Sequence, residues 1–596
     1  MKANQRFAIA LPRSALVQFL ALATLMFGAV RHPLFGQTAG GRFETIVRAG
    51  DSAWKAGRFP EARLRYVEAL AIDSVGSSRA VYRLATLHAW DGQLARAIVL
   101  YERYSVLEPR DEEGRVALGR ALAWNGETAR SVAVYDSILG RDRTYRDAAL
   151  GAAQALAWAG RFPAALSRYE RWLTEQPKDV EAELARARTL AWAGQLSRAE
   201  REYSAIAARG ERLEAEKGVA VVAAWRGDLG RSERLWRGIA ARFPKDGEAW
   251  AGLAQVLRWS GRPRQARQAL DRALAANPSN PDAAEQLRWV RAELAPGLDP
   301  SVTGSWDGDQ NRSLVIGTSA RGWVGPVQAT AFAAERWAEL TPATGTSTAG
   351  RVSLRLPVGS GFGLTGDVGA MRIRAESGVL TKTHALFTGS VTGTARLASW
   401  ISVGGNARRS GFDETVLMML SGIEVTSFGA DAEVRLSSRI GAAGGGDFAR
   451  LVGGSVLNRR RAGFASLRWR PRRGLAVSAA GRVLGYDESP RDGYFAPQRF
   501  RHGELGVRWS RGRDLGWNLS VDAGLGAQQV SFSSASSTKG TQRMAAGIGY
   551  RPAPGLEVAA DYSFSNVAAT GAGPTGGGSI YRAQLITVRG KLLLRD

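Results

Sequence analysis

The residues best suited to acid–base chemistry in this sequence are two adjacent acid pairs, Asp413-Glu414 and Asp487-Glu488. Both lie among segments that alternate polar and apolar residues. Neighbours on such a segment point to opposite faces, so the two carboxylates of a pair make poor acid and base partners. They read as solvated loop residues. There is no cysteine, and the four histidines, His32, His88, His384 and His502, are widely scattered. No thiolate or histidine set has metal-ligand spacing. No nucleophile elbow or phosphate-binding loop occurs. The expectation is a protein that is not an enzyme and uses no cofactor and no metal.

Tryptophan and arginine offer a binding chemistry instead. Trp recurs at Trp54, Trp90, Trp124, Trp158, Trp192, Trp225 and Trp259; after a first interval of 36 the spacing is 34, 34, 34, 33 and 34. A broad apolar face with a polar N–H at its edge suits stacking on sugar rings, so Trp90, Trp124, Trp158, Trp192, Trp225 and Trp259 are candidate polysaccharide-binding residues. The competing reading is that each Trp only covers a turn between helices. In the C-terminal half Arg351, Arg355, Arg372, Arg374, Arg435, Arg468, Arg508 and Arg589 alternate with apolar neighbours. Were all on one wall of a closed sheet, they would line its interior and favour anions. Asp367, Glu433 and Asp522 are too few to neutralise them.

The elements that must position these residues follow from two periods. Gly57, Gly92, Gly126, Gly160, Gly194, Gly227 and Gly261 keep step with the tryptophans. Nine residues after each stands Tyr66, Tyr101, Tyr135, Tyr169, Tyr203, Trp236 or Leu270, and Pro109, Pro177, Pro244 and Pro278 close units. Gly suits the turn between two short helices and Pro ends the second. A 34-residue period of this kind resembles the tetratricopeptide repeat. It predicts an α-solenoid over 42–294, with the aromatic at position nine buried between the helices and the Trp at the end of helix A. In that family helix A lines the concave groove. Pro296-Gly297 marks the boundary.

From residue 298 to 596 the period becomes two, as in Arg351 to Leu356 and Ala370 to Arg374, with turn clusters between segments. Alternation argues strands with one apolar face, and about 16 segments are long enough to cross a bilayer. A soluble sandwich is the alternative. An arginine- and glycine-rich polar face, and Trp323, Trp337, Trp400, Trp469, Trp509 and Trp517 near strand ends of the apolar face, favour an antiparallel outer-membrane β-barrel. The last residues, Leu592 to Asp596, lack a terminal aromatic, which counts against it. The fold class expected is therefore α + β in two domains, solenoid then barrel.

Residues 1–39 read as a secretory signal peptide: Lys2 and Arg6 precede an apolar run from Ser14 to Val30, with cleavage after Ala39 or so. An uncleaved anchor is the alternative. Either way the remainder is exported. Net charge is +25, but nucleic acid is no partner for an exported barrel. Residues 301–596 hold 35 Lys and Arg against 21 Asp and Glu, which places +14 of that charge here.

Three stretches carry a family resemblance: Asp413 to Leu417 before Ser421-Gly422; Gly445 to Gly453 with Val456 to Arg459; and Gly493-Tyr494-Phe495-Ala496-Pro497-Gln498-Arg499-Phe500. They resemble the C-terminal barrel of the outer-membrane component of bacterial cellulose synthase, whose box reads Gly-Tyr-aromatic-Ser-Pro-Gln-x-Tyr. Ala496 and Phe500 depart from it, and seven repeats make a short scaffold for that family. The resemblance implies a periplasmic repeat domain joined to an outer-membrane conduit for a linear polysaccharide. It implies as partners an inner-membrane glycosyltransferase complex or periplasmic proteins bound through the repeats, and outer-membrane lipid. Gly493, Tyr494, Pro497 and Gln498 are the motif residues it marks. Exporters of poly-glucosamine share the plan, and a repeat domain serving mainly as a protein-interaction scaffold is the other alternative. A plain porin would need no repeats.

Overall fold

The computed structural model describes residues 39–568 and 582–594, apart from 211, 359–360, 491 and 533–534. All but the last residue of the expected signal peptide lies outside the described residues. The chain divides into two compact units, one ending at Tyr169 and one beginning at Glu170.

From Ala39 to Leu294 the described residues form antiparallel helix pairs. In the first unit these are α1 (Ala39–Lys55), α2 (Phe59–Ile72), α3 (Ser78–Trp90), α4 (Leu94–Leu107), α5 (Glu112–Trp124), α6 (Thr128–Leu139) and α7 (Arg146–Trp158). Helix α8 (Phe162–Glu175) contains the division between units. The second unit continues with α9 (Val180–Trp192), α10 (Leu196–Ala208), α11 (Arg212–Trp225), α12 (Leu229–Arg242), α13 (Gly247–Trp259), α14 (Pro263–Ala276) and α15 (Pro281–Leu294).

The repeat glycines stand where each pair turns. Gly92 and Gly227 have φ of 73° and 86°, a left-handed conformation that costs a side chain energy and Gly almost none. Asp or Asn N-caps several helices: Asp111, Asp179, Asp228, Asp246 and Asn280 each accept a backbone N–H of the first turn. The position-nine aromatics are buried as expected, including Tyr66, Tyr101, Tyr135, Tyr169, Tyr203 and Trp236. Several rings sit against a glycine of a neighbouring helix A, before or after them in the chain. A Cβ on Gly119 would lie 2.7 Å from Tyr135, and one on Gly252 would lie 2.6 Å from Trp236. Successive B helices are also tied by ion pairs, such as Arg168–Asp136 at 2.7 Å and Arg198–Glu170 at 3.1 Å.

After α15 the chain enters a closed antiparallel barrel of sixteen strands, each bonded to its sequence neighbours, with β1 meeting β16. The first eight are β1 (Gly297–Asp307), β2 (Arg312–Val324), β3 (Val327–Leu340), β4 (Ala343–Val358), β5 (Phe362–Ser377), β6 (Leu380–Ala398), β7 (Ile401–Gly411) and β8 (Glu424–Arg435). The rest are β9 (Ile440–Val452), β10 (Asn458–Arg472), β11 (Leu475–Tyr486), β12 (Arg499–Gly512), β13 (Gly516–Phe532), β14 (Ala535–Ala553), β15 (Leu556–Ser565) and β16 (Ala583–Leu593). Closure leaves no unpaired edge. The fold is the one expected, helical repeats followed by an antiparallel barrel, and the sandwich is excluded. One short helix, α16 (Val416–Ser421), lies between β7 and β8.

Candidate functional site

Strand register sorts the barrel residues into two faces, because residues directly opposite each other share a side. Val368, Phe387, Leu505 and Leu525 point outward and are 71%, 82%, 68% and 70% exposed. The inward face is polar: Thr303 meets Thr587, Ser305 meets Ser313, and Arg321 pairs with Asp299.

Of the arginines proposed for the lumen, Arg351, Arg355, Arg468, Arg508 and Arg589 face inward. Arg351 is opposite Phe332 and lies over its ring at 4.4 Å. Arg508 pairs with Asp522 at 2.5 Å and Arg589 with Asp561 at 3.3 Å. The lumen holds more acid partners than the sequence suggested, since Glu504 and Asp447 bind Arg543 and Arg460. Arg351, Arg355 and Arg468 have no carboxylate partner among the described residues. Arg435 has inward phase but stands at the end of β8, where its guanidinium donates to the Arg226 carbonyl at 3.0 Å.

Arg372 and Arg374 correct the expectation: both face outward. Their strand does alternate, but its inward places are taken by Met371, Ile373 and Ala375, which pack on α16 together with Leu386 and Ala338. The apolar set that would ordinarily face out is needed inside. Trp323 is a second correction. It has inward phase at the end of β2, and its indole N–H donates to the Glu293 carbonyl at the end of α15 at 3.0 Å. Trp337, Trp469, Trp509 and Trp517 lie on the outward face, and Trp400 lies in the β6–β7 turn.

The inside of the barrel is plugged at one end. Two segments that break the alternation, 412–423 and 487–498 without 491, fold inward and dock on each other. Thr415 caps α16 by accepting the Met418 N–H at 3.3 Å, and Gly422 ends it at φ 68°. Val416 and Met419 pack against β4 and β5, while Met418 joins Ile423, Leu451, Leu484, Tyr494, Phe495 and Phe500. Asp413 forms an ion pair with Arg336 of β3 at 3.4 Å.

The motif residues build the other half of the plug. Gly493, at φ 83°, approaches α16 so closely that an added Cβ would lie 2.5 Å from Leu417. Tyr494 is buried, and its hydroxyl accepts a hydrogen bond from Asn458 Nδ2 at 2.7 Å. That same amide donates to the Glu488 carbonyl at 2.9 Å. The Pro497 carbonyl accepts the Tyr486 N–H at 3.0 Å, and Asp492 accepts the Ser455 backbone N–H at 2.9 Å. Gln498 is exposed. The inward-folded loops were missed from sequence; the signal was there, as apolar Val416, Met418, Met419 and Phe495 in stretches without strand period.

The opposite end of the barrel adjoins helices of the same unit. Arg396 donates to the Gly227 carbonyl at 3.1 Å, and Arg264 donates to the Trp323 carbonyl at 3.1 Å. The tryptophans each end a helix A: Trp90, Trp124, Trp158, Trp192, Trp225 and Trp259 are the last residues of α3, α5, α7, α9, α11 and α13. Their exposure runs from 36% at Trp192 to 59% at Trp90, so they present a face to solvent instead of filling the core. Trp90 also stacks on Trp54 with centroids 5.5 Å apart.

One buried cation in the repeats is structural. Burial would lower the Lys217 pKa, but Asp246, Glu248 and Glu214, at 2.8, 2.7 and 2.9 Å, overcome that and raise it above the usual lysine range.

Two tetratricopeptide-repeat family models match the helical part, one over residues 226–288 and the other over 47–113 and 116–180. The helical repeats are thus tetratricopeptide repeats. No curated protein matches the chain. Among solved structures, a tetratricopeptide repeat protein from Parabacteroides merdae is similar at 14% identity, over 42% of this chain and 98% of its own, with a TM-score of 0.36. A bacterial polysaccharide outer membrane secretin is similar at 11% identity, over 50% of this chain and 99% of its own, with a TM-score of 0.39. The MamA protein is similar at 18% identity, over 29% and 94%, with a TM-score of 0.26. Likenesses this loose carry no function across.

Proposed function

We propose that this chain is an outer-membrane export channel for a linear, cellulose-like polysaccharide, with its repeats in the periplasm and no catalytic role. The observation that carries the reading is a closed barrel with an apolar outside and an arginine-bearing, polar inside, shut at one end by two inward loops. A pore for small solutes needs no scaffold of helical repeats at its other mouth. A lumen stoppered by loops that include the Gly493–Gln498 box suits a conduit that opens only when a chain is threaded. In this reading the exposed tryptophans of the repeats guide the glycan, and the repeats dock the synthase complex or periplasmic proteins. Export of a cationic poly-glucosamine is disfavoured, because Arg351, Arg355 and Arg468 would repel it.

The test is electrical. The full chain in planar bilayers should show small, rare openings. Replacing 489–496 and 414–421 with short Gly-Ser linkers should give a large steady conductance that cello-oligosaccharides block. A protein that conducts no better with both loops removed overturns the reading.

A further inference from the structure

The export reading leaves one part of the barrel idle: its outward face at the plugged end. We propose that this arc binds the phosphate groups of net-anionic lipid headgroups in the surrounding leaflet. The proposal rests on the barrel being membrane-embedded.

Arg409 of β7, Thr426 of β8, Arg450 of β9 and Arg459 of β10 stand in one register row on the outward face. Arg450 and Arg459 are directly opposite each other, an arrangement that destabilises a sheet unless an anion lies between the charges. Arg461 follows two residues along β10 on the same face. Arg499 and Arg501 continue the arc on β12, Arg501 opposite Val483 and Gln529. All six are exposed. Arg409 has a partner, Glu424 at 2.6 Å; the other five have no carboxylate partner among the described residues.

Depth identifies the ligand. The same face turns apolar beside and beyond these arginines: Phe448 stands opposite Arg461 and Phe428, Val483 stands opposite Arg501, and Leu505 and Leu525 lie further toward the barrel middle, all exposed. The arginines therefore sit where hydrocarbon gives way to headgroups. Arginine's planar fork holds a phosphate by two parallel hydrogen bonds, and a cation at a bilayer surface gains from anionic lipid. At the other rim the outward face carries Trp469, Trp509 and Trp517, with Trp517 packed on Tyr550 at 4.9 Å between centroids. That is an interfacial aromatic belt with few cations. The two rims thus suit two different leaflets.

The test uses the full chain with vesicles of neutral phosphatidylcholine, with or without a diphosphorylated glycolipid, followed by detergent extraction and mass-spectrometric measurement of each lipid retained per barrel. The wild type should enrich the glycolipid at least about tenfold over its share in the vesicle. The variant Arg450→Gln/Arg459→Gln/Arg461→Gln/Arg499→Gln/Arg501→Gln should lose that enrichment while keeping the heat-dependent gel shift of a folded barrel, and Arg511→Gln at the other rim should not. Equal enrichment by the five-fold variant, or none by the wild type, overturns the proposal while insertion into neutral vesicles leaves the membrane reading standing. Failure to enter any vesicle overturns both. Loss of enrichment on adding millimolar inorganic phosphate overturns the lipid assignment in favour of a free-anion site.

Discussion

The side-chain amide of Asn458, on strand β10, holds the hydroxyl of Tyr494, in the plug, at 2.7 Å, and both residues are buried. One hydrogen bond thus ties the barrel wall to the loop that closes it. The Asn458 carbonyl oxygen also accepts the Glu488 N–H at 3.1 Å, so this one side chain anchors both ends of the inward turn.

Changing Asn458 to Ala should therefore unseat the plug. Leaving the Tyr494 hydroxyl and the Glu488 backbone groups buried without partners costs about 1–3 kcal/mol. If the open state is otherwise unaffected, open events in single-channel records should rise about tenfold or more. Tyr494→Phe removes the acceptor and keeps the ring, and should show a smaller rise. Unchanged gating in both variants would show that other contacts hold the loop.

Ion selectivity should follow the inward arginines alone. At low salt the channel should favour Cl⁻ over K⁺, and Arg351→Gln/Arg355→Gln/Arg468→Gln should weaken that preference. Arg372→Gln/Arg374→Gln, on the outward face, should leave it unchanged. Raising salt from about 0.1 M to about 1 M shortens the Debye length from about 10 Å to about 3 Å and should erase the bias. Cation preference at low salt would refute the assignment.

The tryptophans that end each helix A are exposed enough to be removed cheaply. Trp124→Leu, Trp158→Leu and Trp192→Leu should each shift stability by less than about 1 kcal/mol. Each should weaken cello-oligosaccharide binding by about 1 kcal/mol, the scale of an aromatic contact. A large fall in melting temperature with unaltered binding would make them packing residues.

Alkali should melt the repeats. Burial is the largest cause that pushes Tyr66, Tyr82, Tyr135 and Tyr203 up to about 12. A folded pKa above the unfolded value of about 10 means that the contribution is complete below pH 10 and is lost as pH rises toward 12. The helical circular dichroism signal should hold to about pH 10 and fall beyond it. Helix content constant through pH 12 would contradict this.

Two helix glycines should answer oppositely to alanine. A Cβ added at Gly252 would lie 2.6 Å from the Trp236 ring, so Gly252→Ala overpacks a buried contact and should cost about 1–3 kcal/mol. At Gly238, on α12, a new Cβ meets nothing within 4 Å, and Gly238→Ala should stabilise by about 0.5–1 kcal/mol. Thermal melts of the helical signal decide the pair.

Much of this protein is readable from its chain because the readable parts are local. A turn that needs φ > 0 every 34 residues needs glycine there, and Gly92 and Gly227 stand at such turns. A ring nine residues on is buried by helices adjacent to it in the chain, so Tyr66 and Trp236 could be placed without any distant contact. Strand identity followed from alternation in the same way. What alternation cannot supply is phase, since a period of two says only that neighbours face apart. Arg351 and Arg372 belong to the same kind of pattern, yet one faces in and the other out. The difference comes from α16, brought against β5 from a loop more than forty residues away in sequence, which offers Ile373 an apolar partner inside the barrel. The box around Tyr494 was legible as a motif but not as a plug, because its role depends on Asn458 and Leu417, which only barrel closure brings within reach.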